Sequence, residues 1–146
     1  MIRPALPADL ARIEAIVEAA YGPYLARMNR KPAPMVDDYR RRIAAGQTHV
    51  LEEHGDIVGV LVLEPGDGFL LLDNIAVDPA HHGRGLGKRL MDFTEEEARR
   101  QGYRFIELYT NEVMVENIAR YRHLGYVETN RVRVAGYDRV YLRKAL

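Results

Sequence analysis

The sequence has no cysteine, which removes disulfides, thiolate metal sites and a cysteine nucleophile, and leaves the chain indifferent to the redox state of its compartment. It also lacks an excess of charge of either sign. Lys plus Arg and Asp plus Glu number 21 each, so there is no global basic field of the kind that nonspecific nucleic-acid binding requires, and no nucleic-acid partner is expected. No run of ~18 apolar residues occurs, and the opening MIRPALPADL is not a charged leader followed by an apolar run; a cytoplasmic protein with no membrane partner is expected. Metal ligation has little to work with. His81 and His82 are adjacent but have no carboxylate or thiolate partners at ligand spacing, and His49, His54 and His123 stand apart, so no metal is expected. No internal repeat or low-complexity segment interrupts the chain. Its 146 residues suffice for a single domain, residues 1–146, that buries a core without staples.

What the chain does have is the segment from Leu71 to Met91, LLDNIAVDPAHHGRGLGKRLM. Leu70, Leu71, Leu72, Ile75, Ala76 and Val77 make an apolar, strand-compatible run that Asp78-Pro79 ends. Gly83, Gly85 and Gly87 then alternate with Arg84 and Leu86, and residues without a Cβ reach positive φ and let a ligand approach the main chain. A helix is predicted next, with Leu86, Leu90, Phe93 and Thr94 on one face and the pairs Glu95–Arg99 and Glu96–Arg100 on the outside. Such a loop presents unpaired amides and the positive end of the helix dipole, and both favour an anion such as phosphate. Two nucleotide loops do not fit. A dinucleotide fingerprint counted from Gly83 would need its third glycine at Lys88; a triphosphate loop counted back from Gly87 would need glycine at His82 and a hydroxyl at Arg89.

Short elements are predicted around this segment. A strand over Met1–Ala5 precedes a helix from Pro7 to about Ala20 that buries Leu10, Ile13, Val17 and Ala20. Tyr21 to Met35, with Gly22, Pro23, Pro32 and Pro34, reads as an irregular loop, and a second helix runs from about Val36 to Ala45 with its Asp37–Arg42 charges on a solvated face. Thr48–Glu53 and Ile57–Leu63 flank His54-Gly55-Asp56 as a hairpin and continue into the Leu70–Val77 strand as a meander. Arg104–Thr110 is a strand, Met114–Leu124 a helix stopped at Gly125, and Tyr126–Val134 with Arg139–Arg143 a closing hairpin.

Val77-Asp78-Pro79 followed by His82-Gly83-Arg84-Gly85-Leu86-Gly87 resembles the V-x-P and [QR]-x-x-G-x-[GA] signature of the GNAT superfamily of N-acetyltransferases, with His82 where that family has Gln or Arg. Tyr121, Leu124, Gly125 and Tyr126 resemble the second half of its N-x-x-A-x-x-x-Y-x-x-L-G-[FY] pattern, whose Asn falls here on Met114 and whose Ala falls on Asn117. The order of elements is similar over nearly the whole chain. The resemblance implies an α/β (α+β) fold: a mixed, mostly antiparallel sheet of about seven strands, splayed between the fourth and fifth and flanked by about four helices. It also implies acetyl-CoA as acyl-donor cosubstrate. The pyrophosphate would lie on the loop His82, Gly83, Arg84, Gly85, Leu86, Gly87 and Lys88, and the pantetheine arm along the main chain of Ile75, Ala76 and Val77. Asn117 or Asn111 would replace the family Asn at the cofactor, and Tyr121 would be the general acid.

The chemistry behind that last role is that acyl transfer from a thioester to an amine releases a thiolate. A phenol of pKa about 10 is protonated at neutral pH and can donate to a thiolate whose conjugate acid lies near 8.5. The base is less determined. A lysine acceptor would be about 0.04 % neutral at pH 7 and an α-amine roughly 14 %, so the first needs a proton path far more than the second. The two positions where family members carry a glutamate are Leu71 and Tyr109; Asp73 and Glu107, two residues along the same strands, or a water relay are the alternatives. The acceptor is an amine of a small molecule or of a peptide or protein, contacting the first two helices, the Tyr21–Met35 loop and the closing hairpin, where Tyr21, Tyr24, Tyr39 and Tyr137 could line a pocket. A non-catalytic acyl-CoA binding or sensing module is the alternative function, and the edges of the closing strands are compatible with a homodimer.

Overall fold

The apolar runs pair into one sheet. In the computed structural model, which describes residues 1–146, the strands are β1 (Ile2–Pro4), β2 (Thr48–Glu53), β3 (Asp56–Pro65), β4 (Phe69–Val77), β5 (Phe105–Asn111), β6 (Val127–Val134) and β7 (Tyr137–Ala145). Their order is β1-β2-β3-β4-β5-β7-β6, and only the β4/β5 pair is parallel. Helices α1 (Leu10–Tyr21) and α2 (Tyr39–Ala44) follow β1, α3 (Leu86–Arg100) joins β4 to β5, and α4 (Val115–His123) joins β5 to β6. A parallel pair requires a crossover, and α3 supplies it. The sheet and helices have the architecture that the resemblance implies.

The sheet is buried from two sides. Leu86, Leu90 and Ala98 of α3 and Ile118 of α4 pack with Leu51, Leu61, Leu70, Leu72, Ile106, Leu108 and Leu142 in one core. Ile13, Ile16 and Val17 of α1 pack on Val50, Val60, Val62 and Ala76 in the other. Each fully buried aliphatic side chain contributes roughly 1.5–3 kcal/mol, which is why these short helices hold their places.

One irregularity in β4 decides where the site forms. Val62 pairs with Asn74 and Leu63 with Leu72, so Asp73 has no partner in β3. The extra residue is a bulge, and it reverses the facing of the residues after it. Leu70 and Leu72 belong to the α3 core, whereas Asn74 and Ala76 face α1 and Ile75 and Val77 turn toward α3. Pairing with β5 stops there too: Phe69–Leu72 lie beside Phe105–Leu108, and past Leu72 the two strands have no register. That divergence is the expected splay.

Several local expectations are corrected. The first helix opens with a 3-10 turn at Pro7–Asp9, and it buries Ile13, Ile16 and Val17, leaving Leu10 and Ala20 partly exposed. The Tyr21–Met35 region holds 3-10 turns at Gly22–Arg27 and Ala33–Val36, and α2 starts only at Tyr39 because the Asp38 side chain accepts from the Arg41 amide at 3.2 Å. The outer pairs expected on α3 do not form: Glu95 meets Lys144 at 2.7 Å, and Arg100 pairs with Glu97. Tertiary partners and the nearer i,i+3 neighbour take these charges instead. Most consequential is Arg42. It is 8 % exposed, not solvated as its place in a charge run suggested.

Candidate functional site

The segment between β4 and α3 is built to leave its amides free. Gly83 and Gly85 take φ of +81° and +73°, which a residue with a Cβ adopts only at a cost of roughly 1–2 kcal/mol, and Gly85 caps α3 from the left-handed region. The first helical bond is Arg89 N–H to Gly85 C=O at 3.1 Å. The amides of Gly83, Arg84, Gly85, Leu86, Gly87 and Lys88 therefore donate to no acceptor in the protein. Gly87 has no positive φ, and a Cβ there would meet nothing within 4 Å. Neither backbone strain nor packing calls for glycine at 87, and its bare backbone leaves the loop open to close approach of a ligand. Six free amides at a helix N-terminus fit a pyrophosphate.

The side chains around this loop are arranged less simply than expected. Arg84 and Arg89 both donate to Glu53 at 2.6 Å, one to each carboxylate oxygen, and Arg84 also meets His81 Nδ1 at 2.8 Å. Lys88 is exposed and bonds Asp92 at 2.7 Å. His82 extends out of the preceding 3-10 turn, its amide bonded to the Pro79 carbonyl at 3.3 Å. So the loop's basic side chains are held by carboxylates of the protein, and the free groups are backbone.

Where β4 and β5 part, a cavity of about 290 Å³ opens. Asp73, Asn74 and Ile75 of β4, Tyr109 and Asn111 of β5, Met114, Asn117 and Tyr121 at α4, and Arg139 of β7 line it. The strand, the helix after it and the closing hairpin thus meet at one place. Of the main-chain positions expected to hold the arm, Ile75 lines the cavity, while the Ala76 side chain faces the α1 core and Val77 the α3 core. All three lie on the stretch of β4 that has no β5 partner.

Tyr121 reaches the cavity because α4 turns Ile118 and Tyr121 toward the α3 core. Its hydroxyl takes no hydrogen bond from the protein, and burial pushes its pKa up to about 12, with the Arg120 charge opposing. The phenol is therefore protonated and unengaged. Met114 occupies the place where the family pattern has Asn, and it is buried, accepting from the Thr110 hydroxyl at 3.3 Å through Sδ. Asn117 and Asn111 both line the cavity; Asn117 Nδ2 faces Met114 Sδ at 3.9 Å, and Asn111 Oδ1 accepts from the Val113 amide at 3.1 Å.

The two candidate bases separate. Asp73 lines the cavity with Tyr121, whereas Glu107 bonds Arg143 at 2.8 Å in a separate shallow depression with Thr129 and Tyr141. Asp73 accepts from Tyr109 at 2.9 Å on one oxygen and from Arg42 at 3.2 Å on the other. Burial raises its pKa above the ordinary carboxylate value even though Arg42 and Tyr109 act to lower it. Arg42 also bonds Asp37 and Glu64, each at 3.0 Å. Of the four tyrosines expected near a pocket, Tyr21 and Tyr137 line it; Tyr39 is buried and donates to the Pro34 carbonyl, and Tyr24 lies outside. Tyr21 and Tyr39 meet at Asn74, at 2.7 and 3.0 Å, which fixes α1 and α2 over the bulge. Arg42 and Arg139 were not anticipated as site residues, and Tyr109 was singled out only as a position where the family carries a glutamate.

A glycine loop with free amides and a tyrosine across a strand divergence match a known family. Residues 13–126 match the acetyltransferase (GNAT) family. The chain belongs to it. Members are acyltransferases, and so is this chain. The uncharacterized N-acetyltransferase YjgM of Escherichia coli strain K12 is 31 % identical over 123 residues, covering 80 % of this chain and 74 % of that protein. The PaiA N-acetyltransferase of Thermoplasma acidophilum, solved in complex with coenzyme A, superposes with a TM-score of 0.82 at 14 % identity, over 100 % of this chain and 98 % of that one. A GNAT family acetyltransferase of Elizabethkingia anophelis with acetyl-CoA bound gives 0.73 at 18 % identity, over 100 % and 97 %. These likenesses establish the fold. No helix of the chain is long and apolar enough to cross a membrane.

Proposed function

We propose that the protein transfers an acetyl group from acetyl-CoA directly to an amine, with Tyr121 as general acid and Asp73 as the proton acceptor. The observation that carries this reading is the cavity at the β4/β5 divergence, which holds an unengaged phenol and a carboxylate of raised pKa together. The pyrophosphate would rest on the free amides from Gly83 to Lys88, and the arm would run along β4 from Val77 toward Ile75. The acetyl-CoA and coenzyme A bound to the structural neighbours support that donor.

The amine nitrogen attacks the thioester carbonyl, the C–N bond forms and the C–S bond breaks. The amine proton passes to Asp73, and Tyr121 donates a hydrogen bond to the departing sulfur, which gains its proton through the phenol as solvent reprotonates it, so that thiol and amide leave as neutral products. Solvent restores both groups. Placing donor and acceptor in one cavity replaces a bimolecular encounter by a positioned one. Thiol release from acetyl-CoA in the presence of an amine panel tests the proposal. Acetyl-CoA binding without thiol release against any amine would replace it with a binding module.

A further inference from the structure

Four charged side chains line the cavity: Asp37, Arg42, Asp73 and Arg139. Arg42 is surrounded by three carboxylates, those of Asp37, Glu64 and Asp73, so its charge is more than balanced and the Asp73 end of the cavity is net acidic. Arg139 is the opposite case. No carboxylate lies within ion-pair distance of it; its guanidinium lies 4.0 Å from the centre of the Tyr109 ring and donates to the Tyr141 hydroxyl at 3.2 Å. Tyr109 links the two ends, since its ring carries Arg139 and its hydroxyl donates to Asp73. A net-acidic cluster and a cation without a carboxylate partner thus stand on either side of one tyrosine.

The cavity's entrance bears on size. Residues 22–36 cross from α1 toward the far half of the sheet and are tied down there. Tyr137 donates to the Lys31 carbonyl at 2.7 Å, Arg30 donates to the Ala135 carbonyl at 2.8 Å and stacks on Tyr137, and Arg27 pairs with Glu116 at 2.8 Å. An extended polypeptide entering between α1 and the β6–β7 hairpin would have to break this strap. The strap thus disfavours an extended chain and leaves a compact molecule as the acceptor.

Building on the acetyl-transfer reading, we propose that the acceptor is a small amine that itself carries a carboxylate, an amino acid or close analogue, with its carboxylate on Arg139 and its amino group at Asp73, where the ammonium first gives one proton to solvent and the attacking amine then gives the second to Asp73. A charge-assisted pair of this kind is worth roughly 10- to 100-fold in specificity. The test compares kcat/KM for free amino acids, their decarboxylated amines and a short peptide, for the wild type and for Arg139→Gln and Arg139→Lys. Amino acids should be preferred over their decarboxylated counterparts and over the peptide by about 10-fold or more. Arg139→Gln should erase that preference, Arg139→Lys should retain part of it, and acetyl-CoA affinity by calorimetry should be the same in all three proteins. Equal kcat/KM for the decarboxylated amines, better turnover of the peptide, or a preference that survives in Arg139→Gln would overturn the assignment while leaving acetyl transfer standing. Acetyl-CoA binding with no turnover of any amine would overturn both.

Discussion

Removing one oxygen from Tyr121 tests the chemistry most directly, and the structure sets the size of the effect. The phenol pKa of about 12 exceeds that of a free thiol, about 8.5, by some three and a half powers of ten, so complete transfer of its proton to a thiolate would be uphill by about 5 kcal/mol. In the proposed mechanism Tyr121 therefore acts in the transition state chiefly as a hydrogen-bond donor to sulfur, with full transfer following as solvent reprotonates the phenol. A preorganised donor to developing negative charge is worth roughly 2.7–4 kcal/mol. Tyr121→Phe should accordingly lower kcat about 10²- to 10³-fold, and the KM for acetyl-CoA should hardly change. The phenol makes no protein hydrogen bond that the substitution would orphan, so folding should be unaffected. Thiol-reagent detection suits this assay because the chain has no cysteine and contributes no background. A Phe variant within threefold of wild-type turnover would refute the donor role.

Gly87→Leu separates binding from folding. Its Cβ has open space and its φ is ordinary, so Tm should hold or rise, while calorimetry should find acetyl-CoA affinity reduced at least tenfold; undiminished affinity would mean that the pyrophosphate lies elsewhere. Arg42→Met leaves Asp37, Glu64 and Asp73 without their shared cation and should cost about 3–5 kcal/mol at pH 7 by denaturant unfolding. The sign with pH comes from Asp73, whose folded pKa is raised: its ionisation opposes folding fully above the raised value, and this penalty shrinks as pH falls from that value to the ordinary carboxylate pKa. The variant should thus regain stability on mild acidification, and a loss that stays constant with pH would contradict the electrostatic account. Asp73→Asn should lower kcat/KM about 10²- to 10⁴-fold and abolish the acid limb of its pH profile, which in the wild type lies above the ordinary carboxylate range because burial raises that pKa. Persistence of the limb would place the base on another group.

How much of each part is legible in the sequence depends on the range of the interactions that build it. The loop of free amides lies within one contiguous strand-loop-helix segment and is built from backbone groups, so the spacing of Gly83, Gly85 and Gly87 before a helix carries it. Tyr121 is legible for a similar reason, since α4 sets its direction locally relative to Ile118. Arg42 is not. Within its own helix it is one of three consecutive arginines, and beyond its neighbours Asp37 and Gln47 the partners that bury it at the cavity are Glu64 and Asp73, which are 22 and 31 residues away. The bulge at Asp73 is equally hidden, because Ile75, Ala76 and Val77 form an uninterrupted apolar run that carries no record of which face each takes. Arg139 gains its meaning from the absence of a counter-ion, and a missing contact has no local signature. The proposed donor half of the site is thus coded by short, contiguous patterns. The acceptor half is assembled from α2, β4, β5 and β7, whose meeting depends on the sheet order. Substitutions in the acceptor half can therefore change which amine is chosen without disturbing the loop, as long as the bulge keeps Asp73 turned into the cavity.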